Sequence, residues 1–135
     1  MVDVALVPVA SILEGSDFKV ISDYCIGCVG EVETVCLYSN TPIDQLTNVY
    51  LDSDSRTSQM LAKVLFDKHW YHNVDFEEVN VSAISTATLN EGSAVLKIGD
   101  KAFGEEDHYE YVYDLGEEWR KRLVSAICIN QYYYA

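Results

Sequence analysis

The chain has 135 residues, of which 22 are acidic and 9 are basic, so its formal net charge at pH 7 is −13. This length fits one domain, or one lobe of a two-lobed protein with part of the other, and 49% hydrophobic residues suffice for a buried core. The acidic excess argues against binding to nucleic acids or anionic membranes, which need a basic surface. No segment approaches the ~20 apolar residues of a membrane span.

Cysteine usage and the N-terminal segment favour the cytoplasm. Four cysteines are too few and too scattered for a disulfide scaffold. The first residues are apolar, but they lack a basic start and include Asp3, unlike a secretory signal peptide. Cys25 and Cys28 form a Cys-x-x-Cys pair in a glycine-broken, strand-like stretch. Because further ligands are missing, we expect packed or free thiols there and not a zinc or redox site.

Hydrophobic periodicity predicts strands that alternate with helices. Residues 2–9 form a nearly continuous apolar run, typical of a strand buried on both faces in a parallel sheet. Further strands are predicted, in chain order, at 20–23, 32–39, 46–51, 75–81, 94–98 and 109–115. Helices are predicted at 42–46, from the segment at 54–59 to about 70, from Gly99 with Asp100 as its N-cap, and from 116 onward. This order predicts an α/β fold with a mainly parallel sheet.

The most informative segment is 54–59 (DSRTSQ), which lies between a predicted strand and an amphipathic helix. It gathers three hydroxyls and a guanidinium at a helix N-terminus, where free N–H groups and the positive dipole end favour an anion. Arg56 adds the capacity for a bidentate contact with a carboxylate. The candidate anion ligands are Ser55, Arg56, Thr57 and Ser58. The alternative is ordinary capping by an aspartate or serine beside a solvated arginine.

Other candidates follow from the predicted sheet, because ligands of parallel sheets lie at the carboxyl ends of strands. Thr34 and the Gly99–Asp100 turn can reach that edge together with residues 55–58. No dinucleotide fingerprint, P-loop, zinc-protease motif or nucleophile elbow is present in the sequence. The histidines have no evident nucleophile partner, and His69 is interpreted as a structural residue beside Trp70. The motifs alone predict a binder of small anions.

Five segments in the right order make the chain resemble the menaquinone biosynthesis family of the futalosine pathway, and within it chorismate dehydratase. They cover roughly residues 2–120, and their succession is more specific than any one of them. The matching segments are 3–9 (DVALVPV), 26–39 (IGCVGEVETVCLYS), 55–58 (SRTS), 98–102 (IGDKA) and 113–119 (YDLGEEW).

The resemblance implies an α/β fold of the type II periplasmic-binding-protein-like class, with two lobes, a parallel or mixed sheet flanked by helices, and the substrate in the cleft. It implies a cytoplasmic enzyme that removes water from chorismate to give 3-[(1-carboxyvinyl)oxy]benzoate without a metal or an organic cofactor. Chorismate carries two carboxylates, which suits a site at a helix terminus. The residues that the resemblance assigns to substrate binding are Thr34, Ser55, Arg56, Thr57, Ser58, Gly99 and Asp100.

The sequence departs from the family pattern towards both ends. The family begins with about half a lobe that has no counterpart here, including a Tyr-Leu-Asn segment whose Asn is implicated in catalysis. Its Gly-Leu-Pro-Phe-Val-Phe strand, expected after Lys121, is also replaced. We therefore expect a truncated chain in which the catalytic residue is unknown. The expected division is a remnant of the first lobe at 1–20, the second lobe at 21–121 and a divergent tail at 122–135.

We expect turnover by such a chain to be impaired, because effective catalysis depends on positioned groups. The alternatives are a non-catalytic anion-binding module and the dihydroxynaphthoate synthase branch of the same family, although the Ser-Arg-Thr-Ser segment favours the dehydratase. The tyrosines at 132–134 are interpreted as an edge strand, an oligomer contact or an artefact. An incomplete lobe exposes apolar surface and sheet edges, which favours a homo-oligomer.

Overall fold

The computed structural model describes residues 4–13, 19–123 and 127–134. The strands of this part are β1 (Val4–Pro8), β2 (Lys19–Cys28), β3 (Val35–Ser39), β4 (Asn48–Asp52), β5 (Asp75–Val79), β6 (Ser93–Ile98), β7 (Tyr111–Asp114) and β8 (Ile127–Tyr134). Its α-helices are α1 (Arg56–Lys68) and α2 (Leu115–Leu123). Short 3₁₀ helices occupy Val9–Leu13, Ile43–Gln45, Val81–Ala83, Gly99–Lys101 and Glu106–His108. None of these described helices is long and apolar enough to cross a membrane.

The larger sheet has five strands in the order β5-β4-β6-β3-β7. Strand β4 runs parallel to both β5 and β6, whereas β3 runs antiparallel to β6 and β7. Parallel neighbours need a crossover connection, and α1 supplies it between β4 and β5. The predicted α/β class with a parallel or mixed sheet is therefore confirmed, and the sheet is mixed because β3 is reversed.

Two cores form on opposite faces of this sheet, because successive side chains of a strand point to opposite faces. One face packs against α1 and the start of α2, and its strand residues are Leu37, Val49, Leu51, Ala94 and Leu96. The intervening positions Cys36, Tyr38 and Val95 enter the second core with Val81, Ala102 and Tyr109. Burial on both faces explains why β3 and β6 appear in the sequence as continuous apolar runs.

Helix α1 packs on the first core and begins at the edge of the sheet where β4 ends. Its apolar stripe includes Leu61, Leu65 and Phe66, all buried against the sheet. The helix ends at Lys68, two residues before the predicted end, because the chain turns away at Tyr71, whose φ is +51°. The amphipathic pattern therefore predicted the helix correctly, and its last turn was shorter than the pattern indicated.

A smaller sheet has three strands in the order β1-β8-β2, with both pairings antiparallel. The prediction that residues 2–9 form a doubly buried parallel strand is wrong, because β1 pairs antiparallel with β8 and leaves Val4 and Leu6 51% and 41% exposed. An apolar run indicates that a strand prefers burial. Whether that strand is parallel or antiparallel depends on its partner, which for β1 is β8 at the other end of the chain.

The C-terminal tyrosines lie in β8, between β1 and β2, so the interpretation of an edge strand is wrong. Strand β2 was predicted at 20–23 and extends to Cys28, where it still pairs with β8. The division at 1–20, 21–121 and 122–135 stays a prediction, because pairing within a sheet does not by itself define a folding unit.

Candidate functional site

The carboxyl ends of β4, β5 and β6 meet at one edge of the larger sheet, because the three strands are parallel. Strand β3 is reversed, so its first residues lie at this same edge. The backbone N–H of Gly99, just after β6, donates to the carbonyl oxygen of Thr34, just before β3, at 2.8 Å. The fold therefore brings Thr34, Gly99 and the segment 55–58 to the edge where ligands of such sheets bind.

Ser55 is the N-cap of α1. Its Oγ accepts a hydrogen bond from the backbone N–H of Ser58 at 3.3 Å and donates to the Ser58 Oγ at 2.8 Å. The backbone N–H of Gln59 donates to the Ser55 carbonyl oxygen at 3.1 Å. The capping interpretation is correct for Ser55, because both hydroxyls of this pair already have partners inside the protein, and Ser58 is buried.

Arg56 lies on the exposed side of the first turn and lines a cavity of about 360 Å³. Gln59, Met60 and Lys63 line it from the same helix, at the three, four and seven residue spacings of one helical stripe. Glu78 of β5 is the third charged residue that lines this cavity, beside Arg56 and Lys63. The cavity therefore brings cations of α1 next to a carboxylate of the sheet, in a chain whose formal charge is −13.

Thr57 contacts the N-terminal part of the chain. Its Oγ1 accepts a hydrogen bond from the backbone N–H of Ala10 at 3.5 Å, a long contact. Ala10 is 4% exposed and also lines the Arg56 cavity. The 3₁₀ helix Val9–Leu13 therefore covers one side of the first turn of α1, and the Thr57 hydroxyl takes part in that packing.

Lys101 joins the turn after β6 to the loop after β4. The sequence motifs did not predict this contact. The Lys101 Nζ lies 3.1 Å from both Oδ1 and Oδ2 of Asp52 and 2.6 Å from Oδ2 of Asp54. The Gln59 Nε2 donates to the Asp52 carbonyl oxygen at 2.9 Å. The signal in the sequence was Asp52 itself, because a carboxylate that ends a buried strand requires a partner.

Asp100 is exposed and lies inside the 3₁₀ helix Gly99–Lys101, whose N-cap position is Ile98. The prediction that Asp100 caps this helix is therefore wrong, because the turn closes one residue earlier than the sequence pattern indicated. Asp100 lines a second cavity of about 220 Å³ with Lys97 and Glu105. Lys97 is 5% exposed and its Nζ lies 2.6 Å from the Glu105 Oε2, so this lysine charge is already neutralised.

Asp114 holds the start of α2 in the same way that Ser55 holds the start of α1. Its carboxylate accepts hydrogen bonds from the backbone N–H groups of Gly116 and Glu117 at 2.9 and 3.0 Å. It also accepts from the N–H groups of Val32 and Glu33, the closest contacts being 2.9 and 2.6 Å. The N-terminus of α2 is thus capped by a carboxylate and that of α1 by a neutral hydroxyl, so α1 keeps more of its positive field.

The described cysteines differ in burial, and His69 has a partner on the neighbouring helix. Cys25 is exposed, Cys28 is half-buried and Cys36 is buried, all as free thiols, as expected for the Cys-x-x-Cys pair. His69 Nε2 lies 2.8 Å from the Glu118 Oε2 across α1 and α2, in agreement with its structural interpretation. In the ranges 4–13, 19–123 and 127–134, no group of three His, Cys, Asp or Glu side chains is arranged to hold a metal ion.

Comparison with protein families gives a match to the family model described as menaquinone biosynthesis, over residues 1–125. The matched region contains the whole larger sheet, both α-helices and every loop at its carboxyl edge. Ser55, Arg56, Gly99 and Lys101 all fall within it.

Proposed function

The chain belongs to the menaquinone biosynthesis family, and from this premise we propose that it acts on chorismate as a chorismate dehydratase-like lyase of the cytoplasm. The observation that carries the proposal is the position of Arg56, at the N-terminus of α1 and on the wall of a cavity of about 360 Å³. Arginine presents a planar fork of donors that matches a carboxylate, and the helix terminus adds a positive field.

The proposed reaction is the loss of water from the ring of chorismate. The hydroxyl leaves one ring carbon, the neighbouring ether-bearing carbon gives up its proton, and the ring becomes aromatic as 3-[(1-carboxyvinyl)oxy]benzoate. A dicarboxylate substrate must be held against a net charge of −13. Arg56 and Lys63 supply that local attraction, whereas the cavity at Asp100 offers acidic side chains that favour it less.

We propose further that the larger sheet is one lobe of a type II periplasmic-binding-protein-like fold. The mixed sheet supports this, because the carboxyl ends of β4, β5 and β6 lie at one edge, where the loops that follow these strands gather. The resemblance assigns a part in catalysis to the asparagine of a Tyr-Leu-Asn segment, and these 135 residues contain no such segment. We therefore expect these residues to bind substrate and to turn it over several orders of magnitude more slowly than a complete site.

The experiment is a calorimetric titration of the purified chain with chorismate, followed by chromatographic detection of the product. Arg56→Ala should weaken binding by about tenfold or more, because a hydrogen bond to a charged group contributes ~1.5–3 kcal/mol. Arg120→Ala is the matched control, since Arg120 is an exposed arginine of α2 beside Gly30 and removes the same charge elsewhere.

Three possible outcomes distinguish the lyase from the alternative functions. Binding that depends on Arg56, accompanied by slow product formation, supports the lyase. The same binding with no product at all favours the second candidate, a non-catalytic anion-binding module, for which the positions of Arg56 and Lys63 on the wall of one cavity are the specific observation. No binding of chorismate, or equal loss in both variants, contradicts the proposal and returns the synthase branch of the family to consideration.

A further inference from the structure

Part of the wall of the Arg56 cavity is held by a single buried residue of β4. The Nε2 of Gln59, which lines that cavity and is itself buried, donates to the backbone carbonyl oxygen of Asp52 at 2.9 Å. The backbone N–H of Ser55, the N-cap of α1, donates to the same carbonyl oxygen at 3.3 Å. Asp52 therefore holds both the N-cap of α1 and a residue of the cavity wall.

The side chain of Asp52 has no solvent exposure, and Lys101 supplies its compensating charge. The Lys101 Nζ lies 3.1 Å from both carboxylate oxygens, and the backbone N–H of Asp54 donates to Oδ1 at 3.1 Å. A buried carboxylate that loses its cation is left uncompensated, so it moves towards water or takes up a proton. Because the carbonyl oxygen of the same residue holds Gln59, a shift of Asp52 would be passed on to the cavity wall.

Lys101 also offsets negative charge close to the start of α1. Asp52 and Asp54 precede the first residue of the helix by four and two positions, and the Lys101 Nζ lies 2.6 Å from the Asp54 Oδ2. Asp100, the exposed neighbour of Lys101, adds a further negative charge on the same turn. Removal of the lysine charge would leave these carboxylates uncompensated near the first turn of α1, and like charges disfavour an anionic ligand.

We propose that Lys101 is a positioning residue for the Arg56 cavity. It holds the Asp52 carboxylate, and through the Asp52 carbonyl oxygen it keeps Gln59 and the first turn of α1 in the geometry that binds an anion. Lys101 itself lines a different cavity, with Asp100, so it acts without touching the ligand. The inference rests on the proposed function in one respect, namely that the Arg56 cavity is the substrate site.

The test is an amide NMR titration of the full isotope-labelled chain, in which the backbone signals of residues 56–59 report binding. Chorismate and inorganic phosphate are the two probes. Lys101→Met should weaken the binding of both about tenfold, because the buried carboxylate loses its partner. Lys101→Arg keeps the charge and should stay within about threefold of the parent chain. Lys68→Met is the matched control, because it removes the same charge from an exposed pair on α1 and should leave the affinity unchanged.

A second substitution distinguishes positioning from a general loss of structure. The double variant Lys101→Met with Asp52→Asn no longer contains the uncompensated carboxylate, and it keeps the backbone carbonyl that holds Gln59. Its affinity should therefore recover to about that of Asp52→Asn alone, whereas a merely structural loss would not be reversed by a second change at a buried residue. This comparison needs only the double variant and Asp52→Asn, so it stays valid if Lys101→Met fails to fold.

The two probes separate this inference from the proposed function. Chorismate binding that follows the expected pattern supports both, and phosphate binding that follows it while chorismate does not bind supports the inference and contradicts the lyase. Equal chorismate binding by the parent chain and Lys101→Met overturns the inference alone. A double variant that binds no more tightly than Lys101→Met, or more weakly than Asp52→Asn, also overturns it. Binding of neither probe at residues 56–59 overturns both.

Discussion

The Nζ of Lys101 lies 3.1 Å from both carboxylate oxygens of Asp52, a residue with no solvent exposure at the carboxyl end of β4. The same ammonium group reaches Asp54, the residue before the N-cap of α1, at 2.6 Å. One side chain therefore ties the turn after β6 to the loop after β4. Arg56 begins α1 two residues beyond Asp54, so the contact lies beside the first turn of the helix.

The Lys101 contact gives a prediction about alkaline pH. The hydrogen bonds from Lys101, first to Asp54 and then to Asp52, raise its pKa above the ordinary lysine value. A cation whose pKa is raised by folding contributes stability in full below its unfolded pKa, about 10.4, and this contribution is lost as pH rises through the folded value. The gap in urea midpoint between the parent chain and Lys101→Met should therefore be widest at neutral pH and narrow at strongly alkaline pH.

The matched control for this prediction is Lys68→Met. The pKa of Lys68 is also raised, by its hydrogen bond to Asp67, but both side chains of that pair are 67% exposed. Exposed pairs contribute little to stability, so this variant should shift the midpoint only slightly at every pH. A gap for Lys101→Met that does not change with pH would contradict the interpretation of its contact with Asp52.

Loss of the α1 N-cap should lower stability without unfolding the chain. Ser55→Ala removes the oxygen that accepts from the Ser58 N–H and the hydroxyl that donates to the Ser58 Oγ. The expected cost is ~1 kcal/mol in the free energy of unfolding, measured by urea denaturation. Ser53→Ala, at an exposed position in the same loop, should change that free energy by much less. Equal costs for the two variants would show that Ser55 does not act as a cap.

Residue 116 must be a glycine because its neighbours leave no room for a Cβ atom, and not because of its backbone angle. A Cβ at this position would collide with the Val32 side chain and the carbonyl oxygen of Gly30. Gly116→Ala should therefore destabilise the chain by ~1–3 kcal/mol or prevent folding, as judged by thermal denaturation. Gly99→Asn provides the contrast, because nothing lies within 4 Å of a Cβ there and asparagine tolerates its φ of +55°. A tolerated Gly116→Ala would mean that the Val32 loop can move away.

The thiol of Cys36 should resist alkylation. Burial, with a smaller contribution from the nearby Asp114 carboxylate, raises the pKa of Cys36 to about 11. At pH 8 only roughly 0.1% is then thiolate, the form that reacts. Cys25 is exposed and should react with iodoacetamide much faster. Cleavage after Glu31 and Glu33 separates the two cysteines for mass spectrometry, and similar labelling rates would contradict the burial of Cys36.

The local patterns of the sequence were sufficient for most of the larger sheet and for α1. Alternating burial on two faces gives β3 and β6 their apolar runs, and the polar-to-apolar change at Ser55 gives α1 its start. The same local chemistry predicted capping by an aspartate or a serine, and Ser55 is the residue that caps α1, through a hydrogen bond between residues three apart. The matching segments 55–58 and 98–102 lie at the start of α1 and at the end of β6, so this part of the resemblance could be recognised before any contact was known.

Contacts between distant residues decided the rest. The tie between Lys101 and Asp52 spans 49 residues, and the bond from Val32 to Asp114 spans 82. The direction of β1 depends on β8, at the far end of the chain. A sequence pattern reports what each segment prefers to bury, and it carries no information about which segment will cover it. The sequence by itself thus determined the helix terminus and the arginine, whereas the tertiary structure decided which charges stand beside them, because electrostatic attraction depends on distance in space.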